Sequence, residues 1–195
     1  MASHLTRKEL SHERIVSVAA RAIRRAGYRG VGVADIMKEA GLTHGGFYAH
    51  FASRDTLLVE AMQQASRENQ LALSSAMAKR MAKGDSRFAA LVSAYLHDTH
   101  LERTETGCVV AALASETTRQ ADAVQQEARR RVTELVEFVR SALPEDAVRA
   151  QAEVITATMV GALQLARTLG GTAGRALLSQ TRKALILKVQ SVSAV

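Results

Sequence analysis

The 195-residue chain is 47% hydrophobic and 4% aromatic, with a single proline, and a composition rich in Ala, Leu, Arg and Glu favours an all-α protein over a strand-built one. Its net charge of +7 is uneven: residues 1–54 hold nine Lys/Arg against four Asp/Glu, while residues 55–195 hold 17 against 15, so the N-terminal end is the part suited to a polyanion. One cysteine excludes an internal disulfide, no apolar leader with a cleavage site opens the chain, and the longest run without Asp, Glu, Lys, Arg or His, Val154–Ala166, is too short for a bilayer, which together point to a cytoplasmic protein with no membrane partner.

Residues 1–10 read as a loose polar arm. From about Ser11 to Ala26, Ile15, Val18, Ala19, Ala22 and Ile23 form one apolar helical face, with Arg14, Arg21, Arg24 and Arg25 facing outward. Gly27 ends this helix, and Tyr28 to Gly32 link it to the next. Ile36, Met37 and Ala40 then make an apolar stripe at helical spacing, and Gly41 stands where a helix needs a left-handed terminal residue. Leu42 anchors the turn, the Thr43 hydroxyl is placed to cap the following helix, and Phe47, Tyr48 and Phe51 continue the apolar spacing. Two short helices around a glycine turn between Val33 and Phe51 predict a helix-turn-helix, whose second helix offers its N-terminal end to the major groove.

Ser53 is placed to cap a long fourth helix with Asp55 in its first turn. Leu57, Leu58, Ala61 and Met62 are expected to pack on the N-terminal domain, and Leu71, Met77 and Met81 to continue toward a second one until Gly84-Asp85 breaks the pattern. Phe88, Leu91, Val92, Tyr95 and Leu96 define a fifth helix, Cys108 to Glu116 a sixth, and Asp122 to Ala142 a seventh with Val132, Leu135, Val136 and Val139 inward and Arg129 to Arg131 outward. Pro144 stops that helix and suits the start of the eighth, roughly Glu145 to Leu169 with Glu145 and Asp146 in its first turn. The eighth helix is apolar on two sides: Ile155, Met159 and Ala162 on one, Thr158, Gly161 and Leu165 on the other. A single core needs one stripe, so the second predicts contact with another subunit. Gly170, Gly171 and Gly174 read as a loop, and a last helix from Arg175 offers Leu178, Leu185, Ile186 and Val189. About nine helices result, in a helix-turn-helix domain at 1–52 and a larger helical effector-sensing and dimerisation domain at 53–195.

The segment Gly27 to Leu58 resembles the DNA-binding domain of the TetR family of transcriptional repressors. Gly27-Tyr28, Asp35-Ile36, Ala40-Gly41-Leu42, Phe47-Tyr48, His50-Phe51 and Ser53-Arg54 followed by Leu57-Leu58 stand in that family's order and spacing. The resemblance implies a homodimeric regulator on a near-palindromic double-stranded DNA operator, released by a small-molecule effector. It also implies that the last two helices pair with their copies in a four-helix bundle, which puts Leu178 and Leu185 beside Thr158, Gly161 and Leu165 at the dimer seam. The DNA face would comprise Thr43, His44, Gly45 and Gly46 at the start of the reading helix, with Tyr48, His50 and Arg54 on phosphates. Gly32 replaces the usual Ser or Thr cap at little cost. His44, Gly46 and Ala49 replace a common Lys, Thr or Ser, and His, which leaves few side chains that reach a base edge.

No phosphate-binding loop, His-Glu-x-x-His pattern or Gly-x-Ser-x-Gly elbow is present, so binding rather than turnover is expected, with no cofactor and no metal. His97 and His100, three apart around Asp98, have a spacing that a metal could use, and a helical metal-dependent enzyme built on them is one alternative. An effector-independent architectural DNA-binding protein is another. Tyr95, Met77, Met81 and Met159 are candidates to line an effector cavity, and equally fit plain core packing. Cys108 opens a helix, a position that favours thiol reactivity. The stretch Gly107-Cys108 through Glu116 resembles a TetR subgroup that includes electrophile-responsive repressors of reductase genes, and the alternative for Cys108 is a small buried hydrophobe.

Overall fold

The computed structural model describes residues 6–144 and 149–192; the first half of the expected arm and the acidic pair Glu145 and Asp146 lie outside them. Among the described residues there are nine α-helices, two short 3-10 helices and no strand, as the all-α reading requires. α1 (Arg7–Ala26) takes in Arg7–Leu10, which were expected in the loose arm. The cause is a capping box: Glu9 N–H donates to the Thr6 hydroxyl at 3.2 Å and Thr6 N–H donates to the Glu9 carboxylate at 2.7 Å, satisfying two groups that a helix start leaves open. The Thr6 N–H, together with the Thr6 hydroxyl donating to the same carboxylate at 2.8 Å, holds the Glu9 carboxyl below its ordinary value. α2 (Val33–Glu39) closes in a Schellman motif, with Leu42 N–H donating to the Met37 carbonyl at 2.9 Å and Gly41 in the left-handed region at φ +72°.

A 3-10 helix, His44–Ala49, follows the turn in place of the expected α-helix. α3 (Arg54–Met81) then starts under Ser53, whose hydroxyl accepts the Thr56 N–H at 3.1 Å, and runs 28 residues, ending just before the turn at Gly84 and Asp85. The remaining helices are α4 (Arg87–Tyr95), α5 (Asp98–Glu102), α6 (Val109–Thr117), α7 (Asp122–Arg140), α8 (Arg149–Leu169) and α9 (Gly171–Val192), with the second 3-10 helix at Thr104–Thr106. α5 was not expected; five residues are too few for a periodicity to show. α9 begins at Gly171 rather than Arg175. Gly174 is therefore helical, and it must be glycine, because a Cβ there would lie 2.4 Å from the Ala166 carbonyl oxygen at the α8–α9 junction.

The chain forms two compact units, one of residues up to Arg67 with Glu105–Arg131, the other of Glu68–Thr104 with the residues from Val132 on. The core of the first joins Ile15 and Ile23 of α1, Tyr28, Phe47, Phe51 and Leu57 to Val109 and Leu113 of α6 and Val124 of α7. Leu57, Leu58, Ala61 and Met62 take the places expected of them in that core. Arg24, expected to face outward, is only 4% exposed: its Nε donates to the Ala20 carbonyl at 2.9 Å and a terminal nitrogen to the Ala65 carbonyl at 3.3 Å, fastening α1 to α3. Arg131, also expected outward, is half-buried against the carboxylate of Glu127, itself buried, at 2.9 Å.

In the second unit Phe88, Leu91, Val92, Tyr95 and Leu96 are buried, as are Ile155, Met159 and Ala162 of α8. Three expected core residues are not: Leu71 is 73% exposed, Met81 43% and Val132 42%. On α3 the buried line runs through Leu73 and Met77, four residues apart, and Leu71 stands on the opposite side of the helix from Leu73.

Candidate nucleic-acid interface and sensor residues

The short 3-10 helix is held by its aromatic residues. Phe47 and Phe51, each 2% exposed, stack with ring centroids 5.5 Å apart, and this fixes which residues point away from the core. Tyr48, edge-on to Phe47 at 5.2 Å, is 76% exposed. Thr43, His44 and Gly45 are also exposed, with Gly46 and His50 half-buried, so the expected reading residues share one outward-facing segment. The Thr43 hydroxyl makes no capping bond, contrary to expectation; its carbonyl instead accepts the Gly46 N–H at 3.1 Å in the tighter 3-10 spacing. Two adjacent glycines, poor helix formers, fit that spacing better than a regular α turn. The Arg54 guanidinium donates to the Tyr28 carbonyl, which ties the start of α3 to the α1–α2 link.

Two constellations here join residues far apart in sequence. At one, His12 of α1 lies flat on Phe51, centroids 4.5 Å apart, with its Nε2 2.6 Å from a Glu60 oxygen of α3. The His50 ring stands 6.0 Å from that of His12. Burial, then the neighbouring His12 and Lys8, hold the His50 imidazole below its ordinary value. At the other, the Glu116 carboxylate of α6 accepts the Tyr28 N–H at 3.1 Å. Gly27 makes room for it: a Cβ there would lie 2.3 Å from a Glu116 oxygen. Arg25 adds ion pairs to Glu39 at 3.4 Å and Glu105 at 3.2 Å. No periodicity or short motif marks such pairs, whose members are 48 and 88 residues apart.

The expected sensor residues are differently placed. Cys108, 3% exposed, precedes α6 as its cap without a side-chain capping bond. Tyr95 is fully buried and meets His100 edge-on at 4.8 Å; Met159 and Met77 are buried, whereas Met81 is exposed. The two histidines of the metal alternative do not converge. Exposed His97 accepts the Thr99 N–H on Nδ1 at 3.2 Å, while His100, buried, donates from Nδ1 to the Tyr95 carbonyl at 2.7 Å. Burial, reinforced by Arg167, drives the His100 pKa down to about 4, so its ring is neutral at pH 7. Among the described residues no three His, Cys, Asp or Glu side chains are grouped to hold a metal, and no helix is long and apolar enough to cross a membrane.

On α8, Thr158 and Leu165 are exposed and Gly161 half-buried, while Leu178 and Leu185 of α9 are buried inside their own unit. The sequence reading missed Val154, Leu169 and Leu187, exposed at 57%, 58% and 66%. Val154, Thr158, Gly161, Leu165 and Leu169 follow one another at three- and four-residue steps and so form a single uncovered stripe.

Residues 15–61 match the family described as Bacterial regulatory proteins, tetR family. No curated protein matches the sequence significantly. Among solved structures the chain is similar to a TetR transcriptional regulator from Chloroflexus aurantiacus J-10-FL, at 22% identity and TM-score 0.77 over 95% of this chain and 97% of that one. It is also similar to a TetR-family regulator from Agrobacterium tumefaciens, at 23% identity and TM-score 0.69 over 91% and 98%. A third likeness is to the reduced form of NemR from E. coli, at 16% identity and TM-score 0.72 over 90% and 94%. Residues 15–61 thus form a domain of the tetR family of bacterial regulatory proteins, and the chain as a whole has the fold of the TetR-family structures.

Proposed function

We propose that this chain is a transcriptional regulator of the TetR type, acting in the cytoplasm as a homodimeric repressor that binds a near-palindromic operator and leaves it when a small molecule or thiol modification acts on the helical part beyond residue 52. The observation that carries the DNA-reading assignment is the outward segment Thr43–His50, whose Tyr48 is 76% exposed while Phe47 and Phe51 beside it are sunk in the core. A large exposed aromatic hydroxyl next to a basic α1 suits phosphate contact, with Thr43, His44, Gly45, Gly46, His50 and Arg54 completing the face. The activity is binding, with no turnover. Footprinting on the DNA upstream of its own gene tests the reading: a protected, near-symmetric site supports it, and uniform weak protection favours an architectural DNA-binding protein.

Cys108 is the proposed covalent sensor. It is buried at the start of α6, whose Glu116 holds the Tyr28 N–H, so added bulk at Cys108 acts on a helix that shares the core of the DNA-reading unit. Operator release by an alkylating agent is expected from the native protein and not from Cys108→Ser. Equal release from both, or none while mass spectrometry shows Cys108 modified, returns the search to a non-covalent site near Tyr95 and Met159.

A further inference from the structure

We propose that His50 is a proton-linked contact to the DNA backbone: it meets a phosphate as imidazolium, and His12, held against Glu60, sets the pH at which it does so. The proposal rests on the DNA-binding reading above and adds a dependence that this reading does not require. His50 ends the reading segment, half-buried, with its ring 6.0 Å from His12 and 6.3 Å from Phe51. Its Nδ1 is buried and makes no hydrogen bond, which favours the neutral ring in the protein alone. The charged groups around it are Lys8 and His12 from α1 and, one contact further through His12, Glu60 from α3. Lys8 and His12 oppose a positive charge on His50, and burial opposes it more.

A phosphate oxygen within hydrogen-bond reach of the half-buried His50 ring reverses that balance, because an anion there favours the charged imidazole. Protonation and DNA binding are then linked. Each unit by which the phosphate raises the His50 pKa changes the affinity about tenfold between low and high pH. The sign is fixed: with a bound-state pKa above the free-state one, DNA binds more tightly at low pH and progressively more weakly as pH rises through the bound-state value. His12 lowers the free-state value, so its removal shifts the whole profile toward higher pH.

The test is fluorescence anisotropy of the full chain on a short mixed-sequence DNA duplex between pH 5.5 and 8.5 at fixed low salt, a range over which DNA phosphates do not titrate. Backbone contact is sequence-independent, so this probe reports it without knowledge of the operator. The native protein should lose about tenfold in affinity across the range. His50→Gln should give a flattened profile near the native high-pH affinity, and His12→Gln a profile moved to higher pH. His97→Gln, which removes an exposed histidine outside the reading segment, should leave the slope in place, and His44→Gln reads whether the slope belongs instead to the other histidine of the segment. A slope that survives in His50→Gln, or that vanishes only in His44→Gln, overturns the proposal while leaving the DNA-binding reading intact. Absence of DNA binding by every protein at every pH overturns that reading itself.

Discussion

The chemistry of His100 is set by where the fold buries it. Its Nδ1–H is committed to the Tyr95 carbonyl at 2.7 Å, its carbonyl receives an Arg167 N–H at 3.0 Å, and its pKa falls to about 4. In the unfolded chain the same imidazole protonates near pH 6.5, so between about 6.5 and 4 the unfolded state holds the extra proton. The stability His100 contributes is therefore complete above pH 6.5 and lost as pH falls toward 4, with a limiting slope of about 1.4 kcal/mol per pH unit. Urea unfolding at pH 7 and pH 5 should show a larger loss for the native protein than for His100→Asn, which keeps an N–H donor but does not titrate; equal losses would refute the assignment. Arg54 makes a second prediction at this scale. Its guanidinium already serves the Tyr28 carbonyl, and its remaining N–H groups are proposed to meet a phosphate. Arg54→Ala should weaken binding to all DNA sequences alike and lower the salt slope by about one unit. A changed sequence preference at an unchanged slope would count against the phosphate role.

At the scale of elements, the α1 terminus shows how a glycine serves two needs at once. Gly27 has φ +74°, and the Glu116 carboxylate occupies the space that a Cβ would enter. With ψ at 178° this is a backbone region open essentially to glycine alone, so Gly27→Ala should destabilise by more than the roughly 1–3 kcal/mol of that backbone strain by itself. In a Glu116→Ala background the added cost should shrink to about that figure, since the collision is gone. Thermal melts of the four proteins measure this coupling, and simple additivity would show that Glu116 moves aside freely. The same region marks how far the sequence could be read. Gly41, Leu42, Phe47 and Phe51 carry local signals, a left-handed stop and an apolar spacing, and the structure follows them. The Thr6-x-x-Glu9 box is an equally local signal, and it sets the start of α1 at Arg7, four residues ahead of the start that the apolar spacing predicts. Buried Arg24 and half-buried Glu116 were beyond local reading, because such a charge looks like any surface charge until a carbonyl or backbone N–H from a distant segment meets it. The 3-10 form of the reading helix was hidden too: its apolar spacing suits an α turn equally well.

At the scale of the whole molecule, the uncovered α8 stripe is the part of the protomer that asks for a partner. Val154, Leu165 and Leu169 are more than half exposed along a 21-residue helix, a costly face to leave in water unless another copy covers it. Gly161 lies in the middle of that stripe, and a Cβ built there meets no atom within 4 Å. The protomer thus has room for a side chain at this position, which makes Gly161→Arg a probe of the contact between copies and not of the fold. If the stripes of two copies pack together, the variant places an unpaired charge in the seam at a cost of about 3–5 kcal/mol. Sedimentation should then show monomers whose melting by circular dichroism is that of a folded chain. Operator affinity should fall sharply, because each reading segment must bind its half-site without a tethered second one. Gly161→Ala is the matched control and should remain a dimer. A Gly161→Arg protein that sediments as a dimer with native operator affinity would place the subunit interface away from α8, and the exposed stripe would then need a different occupant.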